Sequence, residues 1–226
     1  MNVIIWVIII IFKCLFLFSI FSIIGWILEA TYKSITNKNI INPGLLIGFS
    51  VPLYGFGGVF LYILCLLLNN INSNYKIIII FITSTLVLTL LEYIIGKVIL
   101  NKYNIKFWDY SNLKLNYKGI ICLSFSFVWG VLSLIFYYFL FPFLNTITIN
   151  RTIEFFLLGI YYGILVIDLL VTINLLNKFK KYLKKLNKII NMEKLKIELS
   201  NNSNKILDKI YPYIIINKCI NKKISD

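Results

Sequence analysis

Apolar runs long enough to cross a bilayer alternate with short polar breaks along most of the chain. Residues 3–30 are apolar apart from Lys13, Glu29 and a few hydroxyls, which predicts a first membrane-spanning helix. No basic segment precedes this run and no small-residue cleavage site interrupts it, so it reads as a retained helix rather than a signal peptide. At about 1.5 Å per residue it exceeds a ~30 Å hydrocarbon core and must tilt or protrude. Lys13 can then snorkel toward the surface opposite Glu29. Further spans are expected at about 45–68, 77–100, 119–141 (stopping at Pro142) and 153–176. The breaks between them are a polar turn at 69–76, a wet loop at 101–118 and a short connection after Pro142. The expected fold is therefore all-α: a bundle of five transmembrane helices within residues 1–176, with a tail at 177–226. In that tail Phe179, Tyr182, Leu183, Leu186, Ile189 and Ile190 recur at helical spacing with lysines between them. This predicts a basic amphipathic helix lying on an anionic membrane surface or docking a partner.

One stretch breaks the pattern. Residues 42–57 hold four glycines and two of the four prolines of the chain. A helix can begin here, with Asn42 as N-cap and Pro43 at the first helical position. Pro52 then falls inside that helix and removes the bond to the Gly48 carbonyl. Backbone groups freed at membrane depth are tolerated only where protein or a water-filled cavity covers them, so this stretch should face inward.

Charge adds orientation. The 226 residues are 59% hydrophobic and carry a net charge of +14. Much of the Lys, Asn and Ile excess matches an A/T-rich codon bias, but such a bias does not choose where lysines fall. Lys33, Lys38, Lys97, Lys102, Lys106, Lys114, Lys118 and thirteen lysines beyond residue 177 lie on one face, against Lys76 and Arg151 on the other. The positive-inside rule then places the N-terminus outside and the tail in the cytoplasm of a plasma membrane.

The absence of histidine excludes the H-E-x-x-H metalloprotease pattern and a Ser-His-Asp triad. The four cysteines form no C-x-x-C pair. No metal site, no cofactor and no catalytic constellation is expected, and the chain reads as a non-enzyme. A membrane tether without a folded nucleic-acid module argues against nucleic acid as a partner. No internal repeat supports an inverted-repeat transporter.

Three carboxylates fall inside spans: Glu29, Glu92 and Asp168. Intramembrane acids are costly and are candidate functional groups by default. With the orientation above, all three lie in the cytoplasmic half, level with the glycine-rich stretch. Ser22, Gly25 and Glu29 share one face of span one, and Thr85, Thr89, Glu92 and Gly96 share one face of span three. Span four offers Cys122, Ser126, Gly130, Ser133 and Tyr137, and span five offers Tyr161, Asp168 and Thr172. Such stripes also pack ordinary membrane helices. The expected substrate or ion site combines Glu29, Glu92 and Asp168 with Asn42, Tyr54, Gly55 and Gly57, and Lys33 and Lys97 are the cations available to pair with the acids. Trp108-Asp109-Tyr110-Ser111 forms a polar-aromatic loop at the inner surface, expected to anchor at headgroup level with Asp109 capping a turn.

Together these residues resemble a family. Gly25-Trp26 with Glu29, then Asn42, Gly44, Gly48, Pro52, Tyr54-Gly55, Gly57, Glu92-Tyr93, Gly96, Trp108-Asp109-Tyr110-Ser111, Asn116, Gly119, Cys122 and Trp129-Gly130 look like the bacterial ABC-transporter type IV permease family over about residues 20–175. Phe49 departs from that pattern, where the family usually has Gly-Pro. The resemblance implies a permease-like membrane component. The chain carries no G-x-x-x-x-G-K-[ST] phosphate loop, so an ATPase would be a separate subunit. Five spans are few for a complete path, which favours a homo-oligomer or a partner besides the lipid bilayer. Two other classes stay open: a non-transport adaptor or regulator recruiting lipid or a partner through its tail, and a lipid-modifying membrane enzyme using Glu92 and Asp109.

Overall fold

The computed structural model describes residues 3–69, 75–146, 151–186 and 190–191. Helix α1 spans Val3–Asn37, α2 Pro52–Asn69 and α3 Lys76–Tyr103. Two-residue strands follow at β1 (Ile105–Lys106), β2 (Asn116–Tyr117) and β3 (Ile121–Cys122). Helix α4 is Leu123–Ile135, continued by a wide π turn at Phe136–Leu140 and by α5 at Phe141–Thr146. Helix α6 is Arg151–Leu186, and β4 is Ile190–Asn191. Among the described residues five helical stretches are long and apolar enough to cross a membrane, from Val7–Asn37 to Arg151–Lys178. Side chains such as Leu28, Leu67, Phe139 and Phe156 stand exposed on them. Those faces suit an apolar solvent, because nothing in lipid opposes their exposure.

Three expectations need correction. Asn42 does not cap a helix beginning at Pro43. Residues 43–51 are non-helical, and α2 starts at Pro52. Pro52 is thus the first helical residue rather than a break inside a helix, a position where its missing N–H costs nothing. Span four does not stop at Pro142. The Phe141 N–H bonds the Phe136 carbonyl, five residues back, and the helix passes through Pro142 to Thr146. Widening the turn just ahead of the proline lets the chain absorb its lost hydrogen bond. Ile190 does not lie on a tail helix. Helix α6 runs without a break to Leu186, and Ile190–Asn191 pair in parallel with Ile105–Lys106. The rest of the expected amphipathic tail helix lies outside the described residues.

The fold divides into two compact units. One comprises Met1–Ser22, Pro52–Ile94 and Tyr110–Ile160. Its core gathers Leu17, Leu61, Tyr62, Cys65, Leu88, Phe136, Phe141 and Leu144. Small residues bring its helices together. A Cβ on Gly55 would run into the Ser22 hydroxyl and Phe18, and one on Gly58 into Phe21, so α2 lies directly on α1. Gly130 gives α4 the same approach to Phe81 and Thr85 of α3. The Lys13 ammonium donates to the Leu144 carbonyl at 3.2 Å, near the C-terminus of α5, where the helix dipole favours a cation.

The other unit comprises Ile23–Val51, Ile95–Asp109 and Tyr161–Asp226. Its core gathers Ile99, Tyr103, Ile105 and Leu176, with Leu45, Ile95 and Phe107 against them. Helix α1 ends here with Lys38 in the left-handed region, φ 53°, and the Asn39 N–H turned back onto the Ser34 carbonyl.

Candidate functional site

Glu92 lies on α3 one turn beyond Leu88, on the face that packs into the core of its unit, and is 2% exposed. A buried acid needs donors. The Tyr110 hydroxyl donates to one carboxylate oxygen at 2.8 Å, and the Trp129 indole N–H donates to the other at 3.1 Å. Tyr110 comes from the loop before β2, where its own N–H bonds the Gly119 carbonyl at 2.9 Å. Its ring stacks on Phe125, centroids 4.7 Å apart. Trp129 comes from α4, with the Tyr54 ring of α2 edge-on to it at 5.8 Å. Burial, and after it the neighbouring Glu92 carboxylate, push the Tyr110 phenol far above its ordinary range, so Tyr110 stays protonated and remains a donor. Both donors are uncharged. They fix the carboxyl group in position.

The second unit holds Asp168. Its two carboxylate oxygens accept the consecutive backbone N–H groups of Ile47 and Gly48, at 2.9 and 2.8 Å, and the Thr172 hydroxyl at 3.1 Å. A Cβ on Gly48 would sit 2.9 Å from the same oxygen, so a side chain here would displace the Asp168 carboxylate from the two amides. One further turn of α6 is used: Tyr161 meets the Ser50 hydroxyl at 2.9 Å. Thus the Tyr161, Asp168 and Thr172 stripe of α6 grips the non-helical segment 43–51. Asn42, 3% exposed, organises the segment from within. Its side-chain oxygen accepts from the Trp26 indole at 3.0 Å and the Gly44 N–H at 3.3 Å, while its amide donates to the Ile47 carbonyl at 2.8 Å. Phe49 sets its ring edge-on to Trp26 at 4.7 Å.

The remaining expected residues fall as follows. Glu29 pairs with Lys33 at 2.9 Å, one turn along α1. Asp109 pairs with Lys106 at 3.2 Å. Gly55 and Gly57 meet neighbouring helices, Gly57 against Leu88. Tyr54 stands beside Trp129, and Tyr110 of the Trp108–Ser111 loop reaches Glu92. Trp129 was not among the expected site residues. Its signal was available, because an indole donor in a spanning helix next to a polar stripe is the natural partner of a buried acid. The amides of Ile47 and Gly48 carry no such signal, since every residue but proline has one.

A family model described as "Putative ABC-transporter type IV" matches residues 16–173, a range that includes Glu92, Tyr110, Trp129, Asn42 and Asp168. No curated protein and no solved structure matches the chain.

Proposed function

Because the chain belongs to this ABC-transporter type IV family and is a multi-pass membrane protein, we propose that it is a permease-like component, the membrane subunit of an ABC-type transporter, with its polar site at Glu92. The observation that carries this reading is the buried Glu92 carboxylate, set within a spanning helix and held by the neutral donors Tyr110 and Trp129. Intramembrane acids mark substrate, ion or proton paths. A fixed carboxylate of this kind changes its charge by taking up a proton or a cation, and in doing so it alters its bonds to Tyr110 and Trp129. Tyr54 adds an aromatic wall to the site. Asp168 and Asn42 act by holding the 43–51 segment in shape. Energy comes from a separate ATPase subunit, and no catalytic step is assigned to this chain. The protein sits in the plasma membrane with the N-terminus outside, the face predicted from its lysines.

The test is affinity isolation of the native protein in mild detergent, with co-purifying polypeptides identified by mass spectrometry. The expected result is an ATPase subunit whose hydrolysis depends on this chain, and a Glu92→Gln variant that assembles normally but loses flux. A preparation containing this chain alone, with no stimulated hydrolysis, overturns the ABC assignment. A second reading, an adaptor acting through its basic tail, is favoured by one observation. Helix α6 continues past the span into Lys180, Lys181, Lys184 and Lys185 without a break. An adaptor would tolerate Glu92→Gln and fail when those lysines are neutralised.

A further inference from the structure

Between α3 and α4 the chain builds a small, tightly bonded hairpin whose outward side chains are not explained by the Glu92 site. Strands β2 and β3 pair antiparallel, Asn116 with Cys122 and Tyr117 with Ile121. The Asn116 side chain locks the turn, donating to the Leu113 carbonyl at 2.7 Å and accepting the Gly119 N–H at 3.1 Å. Leu115 and Lys118 adopt left-handed backbone conformations, φ 54° and 56°. For leucine that conformation is unfavourable and persists only where surrounding bonds impose it. Its effect is to turn Leu115 outward, 74% exposed, with Leu113 and Tyr117 exposed on either side. Lys114 and Lys118 alternate with them and are exposed too. No acid occurs between Tyr110 and Leu123.

The base of the hairpin is fixed. The N–H of Leu123, the first residue of α4, bonds the Leu115 carbonyl at 3.3 Å. Leu115 therefore stands beside the first residue of α4, at one end of a stretch long and apolar enough to cross a membrane. The Tyr117 ring meets Tyr93 of α3 at 5.8 Å, which ties the hairpin to a second span. Apolar side chains interleaved with lysines at such an end match an acidic lipid surface in both polarity and charge.

We infer that the 111–122 loop and hairpin form a lipid-binding foot, with Leu113 and Leu115 entering the headgroup–acyl boundary and Lys114 and Lys118 holding the phosphates of acidic phospholipids. This does not depend on the transport reading. The test uses the full chain with Cys14 and Cys219 replaced by serine, carrying Leu115→Cys labelled with bimane. It is reconstituted in phosphatidylcholine vesicles containing either brominated phosphatidylglycerol or brominated phosphatidylcholine. Quenching by both lipids is expected, with the brominated phosphatidylglycerol favoured. The double variant Lys114→Gln/Lys118→Gln is expected to lower that preference by roughly 30-fold, from the attraction typical of two lysines at an anionic surface. Both lysines are exposed, so this variant should fold, as unchanged circular dichroism and gel-filtration profiles would verify. Absence of quenching by either lipid overturns the inference. So does equal quenching by the two lipids that the lysine changes leave unaltered. Shielding of the label from aqueous iodide only when another polypeptide co-purifies overturns it as well, and assigns the hairpin to a protein partner.

Discussion

Replacing Asp168 with asparagine changes one atom of the clamp on the 43–51 segment and should release it. In the native protein each carboxylate oxygen accepts one backbone N–H, from Ile47 at 2.9 Å and from Gly48 at 2.8 Å. An asparagine keeps a single acceptor oxygen. Whichever way the amide is turned, its NH₂ faces a backbone N–H, donor against donor. One charge-assisted bond, worth about 1.5–3 kcal/mol net, disappears, and a sheltered N–H is left without a partner at a cost of about 1–3 kcal/mol. The two terms overlap in part, so the total should be roughly 2–4 kcal/mol. The bonds of Asn42 and the Ser50–Tyr161 contact remain, so the loss is local rather than global. At tenfold for each ~1.4 kcal/mol, amide hydrogen exchange across residues 43–50 should accelerate by roughly 30- to 1,000-fold. Exchange in α2 should be unaffected. The assay is hydrogen–deuterium exchange with mass spectrometry on protein in lipid nanodiscs. If peptides covering 43–50 exchange in Asp168→Asn at the unsubstituted rate, the carboxylate does not hold the loop and the argument fails.

Other outcomes follow from the same geometry. Gly55→Ala should destabilise the first unit by about 1–3 kcal/mol, as overpacking does, because the new methyl overlaps the Ser22 hydroxyl and Phe18. Gly163→Ala meets nothing within 4 Å and lies within α6, so it should be neutral or stabilising by up to ~1 kcal/mol. Thermal unfolding in detergent compares the two, and equal shifts would refute the packing account. Trp129→Phe removes the donor to one Glu92 oxygen and should cost about 1–3 kcal/mol. A double-mutant cycle with Glu92→Gln should show strong coupling, whereas additive effects would separate the two residues. Tyr110 should stay un-ionised while free tyrosines titrate near about pH 10. Since its folded pKa is raised, its contribution to stability is fully present below that unfolded value and is lost only as pH rises toward the folded one. Tyr110→Phe should therefore leave the phenolate absorbance gained between about pH 9 and 11 unchanged. A smaller gain in the variant would show that Tyr110 ionises normally.

How much of this was legible in the residues depends on how local each cause is. The five spans could be read directly, because the length and apolarity that a bilayer demands are properties of a contiguous run. The family, too, was carried by residues that could be quoted in order. The start of α2 could not be decided locally, since Pro43 and Pro52 are equally good first helical residues. Tertiary structure chose Pro52 by drawing the intervening amides onto Asp168, 120 and 121 residues further along the chain. The passage of the fourth span through Pro142 likewise rests on a widened turn that no residue type announces. Each acid was visible as an expensive group in need of partners, but the partners were not. The sequence named lysines as the available cations, and that suited Glu29, whose Lys33 is one helical turn away. Glu92 found a phenol and an indole from two other elements, and Asp168 found backbone amides. By itself the sequence determined where the chain must leave water and where charge would be costly. Which donors meet that charge was decided only when helices distant in sequence packed together, because a hydrogen bond depends on position in space rather than along the chain.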